Sequence, residues 1–224
     1  MSIRSFRILT AIAGIIGVAA LGYYYSVPFP LPAVTASLAQ VSAFGIQYRN
    51  AVVFGTWLQA VGALLTVVFF LALVYLSGAM TRFSGWMTLL ASTITLTTAL
   101  AEGTFAIGAV EGSINGHPEV ALTCLILTYV FVHIFLMLPA PLLFLALGSV
   151  LLTSTTLPRI FSFLALALGV AFAIVGCAGL FNATVVIIGI FLQIGQELWV
   201  IAATITLIVT TKKASDTTMV QEPD

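Results

Sequence analysis

AVVFGTWLQAVGALLTVVFFLALVYL, residues 51–76, carries no charged side chain from Ala51 to Leu76. A helix needs roughly 20 apolar residues to cross the ~30 Å hydrocarbon core of a bilayer, and this run supplies more. In water such a segment would need a large protein interior around it. The rest of the chain cannot build one, because 61% of its 224 residues are hydrophobic, only 6% are charged, and the mean hydropathy is +1.21. Soluble domains carry about 25% charged residues. Lipid is therefore the solvent for most of this chain.

Further runs lie on both sides of this one. On the N-terminal side, Ile8 to Tyr25 follows Arg4 and Arg7 and closes on Tyr23, Tyr24 and Tyr25, as an interfacial aromatic belt would. On the C-terminal side come Gly85 to Val110, Val120 to Leu152, Ile160 to Leu180 and Thr184 to Val209. The fourth run exceeds one straight span. Pro139 and Pro141 within it each remove a backbone donor and clash with the preceding turn, which predicts a kink. The expectation is an all-α, polytopic six-helix bundle forming a single transmembrane domain over residues 1–211. A short polar tail, 212–224, follows, and disorder is the default for such a terminus. The first run also resembles a signal peptide, with its basic start and small residues at Val18 and Ala20. Its continuation through three tyrosines to a spanning length predicts a retained helix.

Six spans sort the charges. Arg4, Arg7, Arg82, Arg159, Lys212 and Lys213 fall on one side and Arg49 alone on the other, which uses all seven basic residues. Basic residues in short loops mark the cytoplasmic side. Both termini are therefore expected in the cytoplasm. Adding or removing one internal span would scramble the separation.

Two outer loops follow from this topology. Residues 26–50 open with Pro28, Pro30 and Pro32, which favour an extended lead-in. Val34, Leu38, Val41 and Tyr48 then recur at helical spacing, with Thr35, Ser37, Gln40, Ser42 and Gln47 between them. This fits a short amphipathic helix lying on the membrane surface, and it fits equally a bent N-terminal extension of the second span. The second loop, Glu111 to Glu119, is a polar turn in which His117 is expected to be solvated rather than a ligand.

Along the fifth span, Ala165, Gly169, Ala173 and Cys177 repeat every four positions, a stripe that lets another helix approach closely. A helix of the same chain is the expected partner. A second copy is the alternative. Cys124 and Cys177 lie in apolar runs without metal-ligand spacing and are expected as free thiols.

The informative residues are polar groups at membrane depth. Glu102, His133 and Glu197 belong to the third, fourth and sixth spans, accompanied by Gln59, Gln193 and Gln196. At a rise of about 1.5 Å per residue the three titratable groups lie roughly 13 to 21 Å from the outer surface. An ionised group there costs at least ~2.5 kcal/mol, so each is expected to face the bundle interior, to be paired or to be protonated. Gln193 and Glu197 share one helix face, as do Tyr129, His133 and Met137, and Thr98 lies one turn from Glu102. Glu102, His133, Glu197 and Gln193 are thus candidates for one intramembrane polar or proton site. Interhelical hydrogen bonds that hold the bundle together are the competing explanation.

Ordinary enzyme and cofactor classes lack their residues. Bis-histidine haem ligation needs a second histidine at membrane depth, and a retinal Schiff base needs a lysine within a span. Zinc and di-iron sites need clusters of His, Glu or Cys, hydrolases of one large class carry G-x-S-x-G, and voltage sensors an arginine ladder. No enzyme, cofactor or metal is expected. A formal net charge of zero offers no basic patch for nucleic acid. The expected partners are the lipid bilayer and either a second copy or another membrane protein.

Gly148, Leu157-Pro158-Arg159, Gly169 and Glu197-Leu198-Trp199 fall in an order that resembles a family of uncharacterised bacterial integral membrane proteins, a domain of unknown function with six expected spans. The resemblance covers roughly residues 95–210. Tyr48-Arg49 fits more loosely, and the first span and the proline-rich loop contribute nothing. The resemblance implies a bacterial plasma membrane and a single six-helix unit, and it carries over no active-site residue. Two functions follow as expectations. The first is a non-enzymatic interaction or accessory protein using the fifth-span stripe and the outer segment. The second is a small transporter or proton-coupled permease using the Glu102, His133 and Glu197 site.

Overall fold

The computed structural model describes residues 2–26, 31–33, 35–182 and 185–219, with the backbone alone described at 25–26, 186–187 and 212–219. Its helices are α1 (Ile3–Ser26), α2 (Leu38–Leu76), α3 (Phe83–Ile114), α4 (Pro118–Met137), α5 (Pro139–Leu152), α6 (Arg159–Gly179) and α7 (Val186–Met219). Among the described residues there is no strand. Six helical stretches are long and apolar enough to cross a membrane, with α4 and α5 together making the fourth, Pro118–Leu152. The chain is a multi-pass, all-α membrane protein.

The proline break falls in the fourth span. Leu138, at φ −128 and ψ −62, separates α4 from α5. Pro139 and Pro141 have no N–H for the carbonyls one turn earlier, so the helix ends and restarts. The backbone of α6 lies flush against the gap. A Cβ on Gly176 would stand 2.6 Å from the Leu136 carbonyl oxygen, so only glycine fits there. Gly78, at φ +62, turns the chain between α2 and α3 in a conformation that side chains with a Cβ disfavour.

Helix α2 begins well before Ala51. Ser37 caps it by a reciprocal pair: the Gln40 amide N–H donates to Ser37 Oγ at 3.3 Å, and the Ser37 N–H donates to Gln40 Oε1 at 2.9 Å. Val41 is buried with Ala109, Ala121 and Leu125, and Phe44 with Val110 and Val52. The Ser113 hydroxyl donates to the Val41 carbonyl at 3.2 Å. The described part of the outer segment is therefore an extension of the second span and not a separate interfacial helix. Val41, Phe44 and Val52 pack against α3 and α4, while Leu38 and Ile46 remain exposed. Pro28, Pro30 and Val34 lie outside the described residues. At the other terminus α7 continues as helix through Met219, beyond the expected boundary at residue 211, because no Gly or Pro interrupts it there.

The bundle has two chemically distinct ends. At the basic end, Arg82 Nη1 donates to Thr153 Oγ1 at 2.7 Å, and the rings of Phe6 and Tyr75 meet edge to face at 5.1 Å. At the far end, Arg49 pairs with Glu111 at 3.2 Å, and the Tyr129 hydroxyl donates to the Pro32 carbonyl at 3.2 Å. Between the ends, Phe70, Phe144, Phe161, Phe172 and Trp199 from α2, α5, α6 and α7 form the largest buried cluster. The small-residue stripe serves this interior. Ala165 is buried, and a Cβ on Gly169 would stand 2.9 Å from the Leu145 nitrogen of α5. Ala173 is half-buried, and Cys177 is exposed at the far end of the stripe. Both cysteines are free.

Candidate functional site: a polar chamber inside the bundle

The polar site is built from three helix faces. On α3, Thr95, Thr98 and Glu102 stand at spacings of three and four, so one stripe of the helix carries all three. On α2, Gln59, Ala63 and Thr66 make the same kind of stripe. On α7, Gln193 and Gln196 lie about one turn apart. These three stripes line one cavity of about 60 Å³. A buried water needs roughly 10–15 Å³ of such space, so the chamber has room for roughly four or five. Glu102 lies about 18 Å along α3 from its Ile114 end, at membrane depth.

Glu102 is the one titratable group in the chamber lining. Its carboxylate bonds to the Gln59 side chain, and the Tyr24 phenol lies close enough to feel its charge. No lysine, arginine or histidine lines the space. Thr98 Oγ1 donates to the Ile94 carbonyl at 2.8 Å, which leaves its oxygen lone pairs directed elsewhere. Thr66 Oγ1, Thr95 Oγ1 and Gln196 Oε1 are buried without a protein hydrogen-bond partner. Such groups are rare in folded proteins and each asks for a reason.

The walls are closed differently at the two ends. Toward the basic end, Phe70 and Leu143 form the floor and join the aromatic cluster. Toward the far end, Thr56 packs against Gly103 so closely that a Cβ there would stand 2.5 Å from the threonine methyl. Beyond that contact a second, smaller cavity begins, lined by Tyr24, Thr56, Ala106 and Thr128 among others.

The four candidate residues are divided by this geometry. Glu102 and Gln193 share the chamber. Glu197 is buried beside it and outside its lining, with Oε1 accepting from Gln196 Nε2 at 3.4 Å and Oε2 unpartnered. His133 is half-buried and also outside the lining, and its Nδ1 is held by the Tyr129 carbonyl at 2.8 Å, one turn back in its own helix. Gln59 and Gln196, noted in the sequence only as companions, prove to touch the carboxylates directly. Thr66 and Thr95 carried one usable signal. Each lies on the same helical stripe as a more polar residue, Gln59 or Glu102.

Family models, curated proteins and solved structures were all compared with the chain, and none matches it. The fold and the chamber define its class: a multi-pass α-helical membrane protein with a polar intramembrane cavity.

Proposed function

We propose that this protein is a small transporter or proton-coupled permease of a bacterial plasma membrane, and that the Glu102 chamber is its working site. The observation that carries the reading is a lone carboxylate at membrane depth lining a space of water size, without a cationic partner in that lining. A carboxylate in hydrocarbon is expensive, and its usual use is in ion or proton pathways. We further place both termini in the cytoplasm, because six of the seven basic residues belong to the basic end. The bacterial plasma membrane rests on the resemblance read in residues 95–210, which no family model matches.

The alternative is a non-enzymatic accessory protein working through the α6 stripe or the outer segment. The packing of Ala165 and Gly169 into this chain's own α5, and of Val41 and Phe44 onto α3 and α4, withdraws most of those surfaces from an external partner. A second copy remains compatible with the exposed outer end of the stripe.

The test is proton flux into liposomes that contain the purified chain, driven by a potassium diffusion potential. The parent is expected to acidify the lumen faster than empty liposomes. Glu102→Gln should lower that rate at least tenfold, while His133→Ala, outside the chamber, keeps most of it. Parent liposomes no leakier than empty ones would end the carrier reading.

A further inference from the structure

The geometry points to a binding site for a single monovalent alkali cation, ligated by oxygen atoms of the Glu102 chamber. This assignment names the passenger or coupling ion of the site proposed above and rests on that reading.

Three observations converge on it. The first is the donor set. The chamber lining carries the Glu102 carboxylate, the Gln193 and Gln196 side-chain amides and the Thr95 hydroxyl. These are hard oxygen donors, the kind that replace the hydration shell of a hard cation, and no sulfur or imidazole competes among them. The second is orientation. Gln196, a lining residue, gives its Nε2 to Glu197 at 3.4 Å, and its Oε1 has no protein partner although the residue is only 8% exposed. The Thr95 Oγ1 is likewise buried without a protein partner. Oxygens in this state are acceptors waiting for a positive charge or a donor. The third is the charge count. One carboxylate in the lining neutralises one positive charge, and a divalent ion would leave a net charge inside the membrane. About 60 Å³ accommodates a partly dehydrated alkali ion with a few waters.

The test is thermal unfolding of the full chain in detergent, titrated with sodium chloride against choline chloride at constant ionic strength. A ligand that binds only the folded state raises its stability in proportion to the logarithm of saturation. The parent is expected to gain about 3 °C at tenfold above half-saturation, with choline inert. Glu102→Gln should abolish the gain. Thr95→Val, an isosteric change that removes one ligand without touching the carboxylate, should raise the half-saturating sodium concentration roughly tenfold. An unfolding temperature for the parent that is the same in sodium and choline overturns the cation site, and so does a gain that survives Glu102→Gln unchanged. The two proposals then separate cleanly. Glu102-dependent proton flux without sodium stabilisation keeps the carrier and makes the proton its sole passenger. Sodium stabilisation without flux keeps the site and removes the carrier.

Discussion

The bundle interior changes character along α2. Around Phe70 it is a knot of rings. Phe70 meets Phe144 at 5.8 Å and Trp199 at 6.2 Å, and Phe161 meets Trp199 at 6.0 Å. About three turns farther along the same helix, around Gln59, it is the polar chamber. In the knot the Trp199 indole N–H donates to the Phe161 carbonyl at 3.0 Å, although the next residue, Ser162, is fully buried with an unpartnered Oγ. The chamber keeps Thr66, Thr95 and Gln196 with buried oxygens that no protein group satisfies. Between transmembrane helices there is little hydrophobic driving force, so association rests on close packing and hydrogen bonds. The knot supplies the packing. The chamber differs in its carboxylate, its amides and its space, which assigns stability to one region and chemistry to the other.

The strongest way to break that assignment is Phe144→Ala. Phe144 is fully buried and touches Phe70, Phe172 and Trp199. Truncating a buried ring leaves a cavity and typically destabilises by about 3–5 kcal/mol. Unfolding in mixed detergent should show that loss. A change below about 1 kcal/mol would mean that the rings are not what holds the helices together. Trp199→Phe is a finer probe of the same region. It keeps a ring and removes the donor to Phe161, a bond worth about 1 kcal/mol. A loss comparable with that of Phe144→Ala would show that the indole's size, rather than its hydrogen bond, matters.

The two regions were not equally legible in the sequence. The spans could be read because lipid imposes length and apolarity on every crossing, and six charge-poor runs meet that demand. The break at Leu138 could be read because two prolines inside one run cannot both keep the helix hydrogen-bonded. The start of α2 could not be settled, because Val41 and Phe44 have the same spacing whether they face lipid headgroups or the ends of α3 and α4. The site was legible only in part. Glu102 stood out by charge alone, but its neighbours depend on which face each helix turns inward. In a helix apolar on all sides, periodicity carries little of that information. His133 looked as available as Glu102, and nothing in its neighbours announced that the Tyr129 carbonyl would hold it. Gln59 and Gln196 were seen, and what they would touch was not.

The smallest predicted effect decides whether the chamber differs in kind from the knot. Thr95 lines the chamber on the same stripe of α3 as Glu102, and its buried hydroxyl has no protein partner. Thr95→Val is nearly isosteric and removes only the hydroxyl. In a dry interior, an unpaired hydroxyl carries a desolvation penalty of about 1–3 kcal/mol, and its removal should stabilise by a comparable amount. In a hydrated chamber, water satisfies the hydroxyl and the exchange is close to neutral. The variant, measured in choline chloride so that no alkali ion contributes, should unfold within about 0.5 kcal/mol of the parent. Stabilisation above about 1 kcal/mol would place Thr95 in a dry core like that around Phe144. The chamber would then be a packing defect rather than a site. Agreement with the parent would mean that water reaches Thr95, inside the bundle, and that solutes of the same size have the same route to Glu102.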